Sequence, residues 1–196
     1  MTSTCRIKVA LLALTIAGCA SSPPTLVTLP PAPHATATEN TVERSGPTVL
    51  LRRVIVPGYL DAFPVLIGRR GNALIVSDGT EWAERLSDGA ARVLRDALSQ
   101  RLGPSRVLIE GDGRIPDADL TIELAALDPQ TDGQLQLDAR WTFLGTAGDR
   151  ASRTGRTQLQ VPLENQTASG VAAATAQALG RLADTLAIEA ERVKPR

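Results

Sequence analysis

Two neighbouring stretches of this chain alternate apolar and polar residues, and that period of two limits the possible folds more than any other feature. In the first, Leu120, Ile122, Leu124 and Ala126 share one side while Asp119, Thr121 and Glu123 take the other. In the second, Leu135, Leu137, Ala139, Trp141 and Phe143 oppose Gln136, Asp138, Arg140 and Thr142. Successive side chains of a strand point to opposite faces, so each stretch has one face to bury and one to wet, as in an antiparallel sheet. Asp128-Pro129-Gln130-Thr131-Asp132-Gly133 supplies the turn between them. Further strands are expected at Val49 to Val56, stopped by Pro57-Gly58, and at Val65 to Ile67 and Ala73 to Val76, a hairpin around Gly68–Asn72. A short strand at Val107 to Ile109 and a weaker one from Arg153 to Val161 complete the set.

Two other stretches have helical spacing. Trp82, Leu86, Ala90, Val93, Leu94, Ala97 and Leu98 recur at three and four until Gly103-Pro104 ends the run, with Asp78 and Glu81 as a capping arrangement. The second helix is expected from about Ser169 to Val193, with Leu179, Leu182, Leu186 and Val193 on one stripe. Helices with one apolar stripe and strands with one apolar face bury those surfaces against each other. The expected fold is α/β (α+β): an antiparallel or mixed β-sheet with two amphipathic helices packed on one face.

The inventory of reactive side chains is short. In 196 residues there are one histidine, His34, and two cysteines, Cys5 and Cys19, too few for a structural zinc site or, His34 aside, a Ser-His or Cys-His pair. Lys+Arg and Asp+Glu balance at 21 each, which removes the basic footprint of a nucleic-acid binder. Asp112, Asp117 and Asp119 are interrupted by Arg114, Ile115 and Pro116 and lack the ligand spacing of a calcium loop. Gly111-Asp112-Gly113 has neither the third glycine nor the setting of a dinucleotide fingerprint. A carboxylate-pair glycosidase is the rival enzyme class. No such pair is marked by the sequence, and five aromatic residues offer little stacking surface for sugar. No cofactor, metal or catalytic residue is assigned.

The N-terminus reads as an address. Arg6 and Lys8 precede an apolar run from Val9 to Gly18, about ten residues and so too short to span a bilayer. Ile16-Ala17-Gly18-Cys19 resembles the bacterial lipobox, which implies a signal peptide at 1–18, cleavage before Cys19 and acylation of that cysteine. Ala20 stands where an Asp would resemble an inner-membrane retention signal, so the implied destination is the outer membrane. Residues 19–47 then read as a Pro/Ala/Thr-rich tether and 48–196 as one domain. Extended, residues 20–47 reach about 90 Å.

In order and spacing these features resemble the auxiliary lipoproteins of ABC-type transport systems, the PqiC (YmbA) family. The residues that carry the likeness follow the lipobox: Thr25-Leu26-Val27-Thr28-Leu29-Pro30, Val56-Pro57-Gly58-Tyr59-Leu60-Asp61, the basic hairpin Arg69-Arg70, and Trp82-Ala83-Glu84-Arg85-Leu86. The resemblance makes 25–29 a candidate first strand, which shortens the tether to about six residues and about 20 Å. It implies a non-catalytic body moored to the outer-membrane bilayer through acylated Cys19, forming a homo-oligomeric ring. That ring docks on the tunnel of an MCE-domain (mammalian cell entry) protein belonging to an inner-membrane lipid transport complex. The other reading is a stand-alone envelope scaffold, distinguished by the absence of neighbouring permease, ATPase and MCE-domain genes.

Beside Cys19, the candidate partner-binding residues are Tyr59, Leu60 and Phe63 on the loop after the first long strand, Trp82 at the start of the helical run, and Arg69 and Arg70 on the hairpin. Exposed aromatics anchor interfaces and arginines meet anionic head groups. The competing reading of each is plain: packing beneath the loop for the first three, core for Trp82, and solvated turn residues for the arginines.

Overall fold

In chain order the elements are strand β1 (Thr25–Val27), β2 (Val49–Ile55), the hairpin β3 (Pro64–Arg70) and β4 (Ala73–Trp82), helix α1 (Leu86–Leu102), β5 (Val107–Leu108), the long strands β6 (Ala118–Pro129), β7 (Gln134–Gly145) and β8 (Ser152–Pro162), and helix α2 (Ala168–Ala190). They come from a computed structural model that describes residues 22–33, 45–146 and 152–196. The signal-like segment, Cys5, Cys19 and His34 lie outside the described residues.

Five strands form the main sheet in the order β5-β2-β6-β7-β8. Strand β2 runs parallel to both β5 and β6, whereas β6, β7 and β8 form an antiparallel meander, so the sheet is mixed. Helices α1 and α2 pack on each other and on this sheet. Between them lie Val93, Leu94, Ala97 and Leu98 from α1, Leu179, Leu182 and Leu186 from α2, and Leu120, Ile122, Leu135, Leu137 and Phe143 from the sheet, all fully buried. The α+β architecture expected from the two periodicities is the one observed.

The alternation in β7 holds over its whole length, with Leu135, Leu137, Ala139, Trp141 and Phe143 buried. In β6 it breaks. The register with β7 shifts between Leu124 and Ala126, so the inward phase passes to Leu127, opposite Leu137, and Ala126 faces Asp138 instead of the core. A bulge of one extra residue has this effect. Asp128 and Pro129 belong to β6, and the turn is made by Gln130–Gly133 alone.

Helix α1 begins at Leu86, four residues later than the spacing from Trp82 implied. Trp82 instead closes β4, its amide donating to the Phe63 carbonyl at 2.7 Å. Asp78 and Glu81 are strand residues and cap nothing; the Ser87 amide in the first turn is held by Asp61 Oδ1 at 2.9 Å, from the loop after β2. The capping carboxylate thus comes from 26 residues upstream. Helix α2 has a local cap: Thr167 Oγ1 accepts from the Gly170 amide at 3.2 Å. It ends at Ala190, with Val193 still buried just beyond.

A second sheet of three strands has the order β1-β4-β3, with β1 parallel to β4 and β3 antiparallel to it. Downstream of β1, Leu29 and Ala32 are core residues. Ala32 lies over Gly180 of α2, where an added Cβ would come within 3.2 Å of its methyl group. The stretch read as tether is therefore folded onto the body from Thr25 to Ala32. Pro30, Pro31 and Pro33 keep it extended as it crosses the helix.

Candidate functional site

Strand β3 carries the sequence-predicted candidates at its two ends and along its length. Near its C-terminal end, Tyr59, Arg69 and Asp128 form one cluster. The Tyr59 hydroxyl donates to Asp128 Oδ1 at 2.9 Å, Arg69 Nε lies 3.2 Å from Asp128 Oδ2, and the Arg69 guanidinium sits 5.3 Å from the centre of the Tyr59 ring. The Arg69 contact is an ion pair rather than a hydrogen bond, because Nε finds no acceptor in line. Asp128 is buried at the end of β6, a position a carboxylate tolerates only with such partners. Partial burial, the bond to Asp128 and the charge of that carboxylate push the Tyr59 phenol up to about 12, against a smaller downward pull from Arg69.

What this cluster can do chemically is limited. A phenol held at about 12 keeps its proton at neutral pH, and a guanidinium is permanently charged. The three groups satisfy one another and pin the loop after β2 to the hairpin and to β6. They form a lock between elements, in which the exposed part of the Tyr59 ring remains as surface.

The other candidates separate. Leu60 and Trp82 retain only 4% and 5% of their exposure, so both are core residues and offer no side-chain surface to a partner. Trp82 has this place because it ends a strand above the core, not because it opens a helix. Phe63 is 50% exposed just before Pro64, and Arg70 is exposed at the opposite end of β3. The six steps of β3 from Pro64 to Arg70, at about 3.3 Å each, set these two ends about 20 Å apart. The candidates thus form two surfaces: Phe63 on the loop just before β3, and a hairpin end where Arg70 follows the Tyr59–Arg69–Asp128 cluster.

The acidic run of Asp112, Asp117 and Asp119 is divided among separate partners. Asp112 Oδ2 pairs with Arg114 at 2.8 Å, and Asp119 with Arg52 Nε at 3.0 Å. Asp117 Oδ2 accepts from the Thr48 amide and hydroxyl at 2.7 and 2.8 Å, and its Oδ1 from the Arg196 amide at 2.6 Å. Burial raises the Asp117 carboxyl, but these donors and the Arg196 charge outweigh it and the net shift is downward. Among the described residues, no three His, Cys, Asp or Glu side chains are grouped to hold a metal ion.

Comparison with known proteins decides the family. The model of the ABC-type transport auxiliary lipoprotein component family matches residues 28–187, about four-fifths of the chain. The chain belongs to this family. Two solved structures have the same fold as this lipoprotein. One, of an uncharacterized protein, is 15% identical, with a TM-score of 0.67 over 86% of this chain and 99% of its own. The other, a Xanthomonas campestris protein, is 19% identical, with a TM-score of 0.57 over 82% of this chain and 90% of its own. No curated protein sequence matches the chain. No helix among the described residues of the lipoprotein is long and apolar enough to cross a membrane.

Sequence reasoning missed three residues that organise these surfaces. Asp128 looked like a turn residue; its burial follows from the bulge in β6, which carries no signature in composition. Asp61 closes Pro57-Gly58-Tyr59-Leu60-Asp61, one of the segments that carry the family resemblance, yet its cap on α1 is a long-range contact that no local pattern announces. Arg106 is buried, with Nε donating to the Pro47 carbonyl at 3.0 Å and Nη1 to Glu191 Oε1 at 2.6 Å, tying the chain before β2 to the end of α2.

Proposed function

We propose that this lipoprotein is a non-catalytic subunit of an MCE-type lipid transport system, held at the outer membrane by acylated Cys19 and docked, as a homo-oligomeric ring, on the periplasmic tunnel of an MCE-domain protein. The observation that carries the reading is membership of a transport auxiliary lipoprotein family together with the lipobox-like Ile16-Ala17-Gly18-Cys19. The physical need is definite. A phospholipid crossing water exposes two acyl chains at about 0.8 kcal/mol per CH₂, tens of kcal/mol in all, so an enclosed route requires an outlet fixed beside the receiving bilayer. A diacylated cysteine provides that fixture, where one chain binds only marginally.

In this reading the Phe63 end of the loop after β2 is the surface offered to the tunnel. Phe63 is a half-exposed aromatic on a loop made rigid by the Asp128 lock and by Asp61 on α1, and rigid aromatics make interface anchors at low entropic cost. Affinity capture of the tagged full-length lipoprotein from mildly solubilised membranes tests the proposal. Co-purification of an MCE-domain protein, weakened by Phe63→Glu, is the expected result. Recovery of the lipoprotein alone under the same conditions favours the stand-alone scaffold.

A further inference from the structure

The β3–β4 hairpin ends in a run that is exposed from Arg70 through Val76, and three consecutive residues of it are large and aliphatic: Leu74, Ile75 and Val76. Val76 is 51% exposed. In a regular strand Leu74 and Val76 point to one face and Ile75 to the other, so apolar surface is presented on both sides of the tip. Three adjacent exposed aliphatics on a protruding hairpin form a patch that calls for a partner. Arg70 stands beside them with no ionic partner among the described residues, and Arg69 is one residue before it.

The direction of β1 identifies the partner. Because β1 is parallel to β4, the chain enters β1 from the same end at which β4 starts, the hairpin tip. Thr25 is level with Thr80, beside the Glu81–Pro64 pair at the start of β3, and the six steps of β3 from Pro64 to Arg70 put it about 20 Å from the tip. From Thr25 back to Cys19 the chain has six residues, about 20 Å when extended. A leash of that length, drawn back along β4, ends level with the tip. A longer leash would let the hairpin stand clear of the bilayer; one this short keeps the tip within its reach.

We infer that the hairpin tip is a membrane contact: Leu74 and Val76 enter the head-group region of the bilayer that holds Cys19, and Arg70 meets its anionic lipids. The inference rests on the acylation of Cys19 proposed above and adds to it a fixed orientation. The tip lies on the bilayer, and the Phe63 loop end, at the other end of β3, is turned away from it toward the tunnel. Interfacial apolar groups penetrate about 5–10 Å, the depth of two or three strand residues, and an arginine beside them is drawn to an anionic surface.

The test uses the full-length lipoprotein, matured in cells, extracted in detergent and reconstituted into vesicles of phosphatidylethanolamine and phosphatidylglycerol. Val76→Cys and, beside Phe63 at the other end of β3, Ala62→Cys are labelled singly with a polarity-sensitive fluorophore, acylation leaving the mature chain no other free thiol. Both positions are exposed. The expected result is a blue-shifted Val76 probe, quenched several-fold more by nitroxide-bearing lipid than the Ala62 probe. Protein that floats with the vesicles while both probes report water overturns the hairpin inference and leaves the anchor standing. Protein that does not float, with both probes in water, overturns the anchor. A blue shift at Val76 that persists in detergent, grows with protein concentration and is insensitive to nitroxide lipid shows a second copy on the patch, and overturns the membrane contact.

Discussion

Trp141 lies flat across the neighbouring strand because Gly155 stands opposite it. A Cβ at residue 155 would fall 2.1 Å from the indole ring, while the indole Nε1 donates to Thr157 at 3.1 Å and the ring meets Phe143 edge-on at 5.8 Å. Gly155→Ala must therefore displace the tryptophan. Overpacking of this kind costs about 1–3 kcal/mol, or roughly 2–4 °C in Tm for each kcal/mol. Urea unfolding should show that loss, and Trp141→Leu in the same chain should recover part of it, because the two positions share one space. Tyr59 gives a second single-residue expectation. Its phenol is raised from about 10 to about 12, so the folded state holds the proton more tightly than the unfolded chain. The associated stability is intact below pH 10 and is lost as pH rises toward 12. Between those values the wild type should lose more stability in denaturant titrations than Tyr59→Phe, which has no proton to release.

Helix α1 shows how an element can depend on a residue far from it in sequence. Asp61 accepts from the Ser87 amide and pairs with Arg85 at 3.5 Å, so the loop after β2 and the helix N-terminus are one unit. Removing a capping side chain costs about 1 kcal/mol. Asp61→Ala should lower stability by that amount and speed hydrogen exchange at Ser87 and its neighbours, leaving the last turn near Leu102 unchanged. The same contact explains what could be read from the chain unaided. The alternation through β7 and the apolar stripes of both helices are local periodicities, and local periodicity suffices to assign those elements. The start of α1 was misplaced because Trp82 sits at helical spacing from Leu86 by coincidence, while its strand role depends on β1 and Phe63. The bulge in β6, which buries Asp128 and turns Ala126 outward, likewise depends on pairing between strands. Tyr59 and Arg69 were legible as candidates from their residue types; that they share a buried carboxylate was not.

For the molecule as a whole, the parallel entrance of β1 is the decisive feature, because it leaves six residues between Cys19 and the body and brings the chain in from the hairpin side. The prolines of residues 19–47 suggest a tether and the family resemblance a first strand at 25–29; with β1 at Thr25–Val27 and Leu29 and Ala32 in the core, six residues remain from Cys19 to Thr25. With Cys19 acylated as proposed, a leash of about 90 Å would let the body range widely from the bilayer, whereas one of about 20 Å holds it against the surface. The fold supplies a rigid body with an apolar hairpin at one end and an aromatic loop at the other. The family supplies the transport setting. All of this depends on the anchor, and the mass of the mature N-terminal peptide, from protein purified out of native membranes, tests it most directly. A peptide beginning at Cys19 and carrying acyl groups is the predicted result. A peptide that begins elsewhere, or at an unmodified Cys19, contradicts the account.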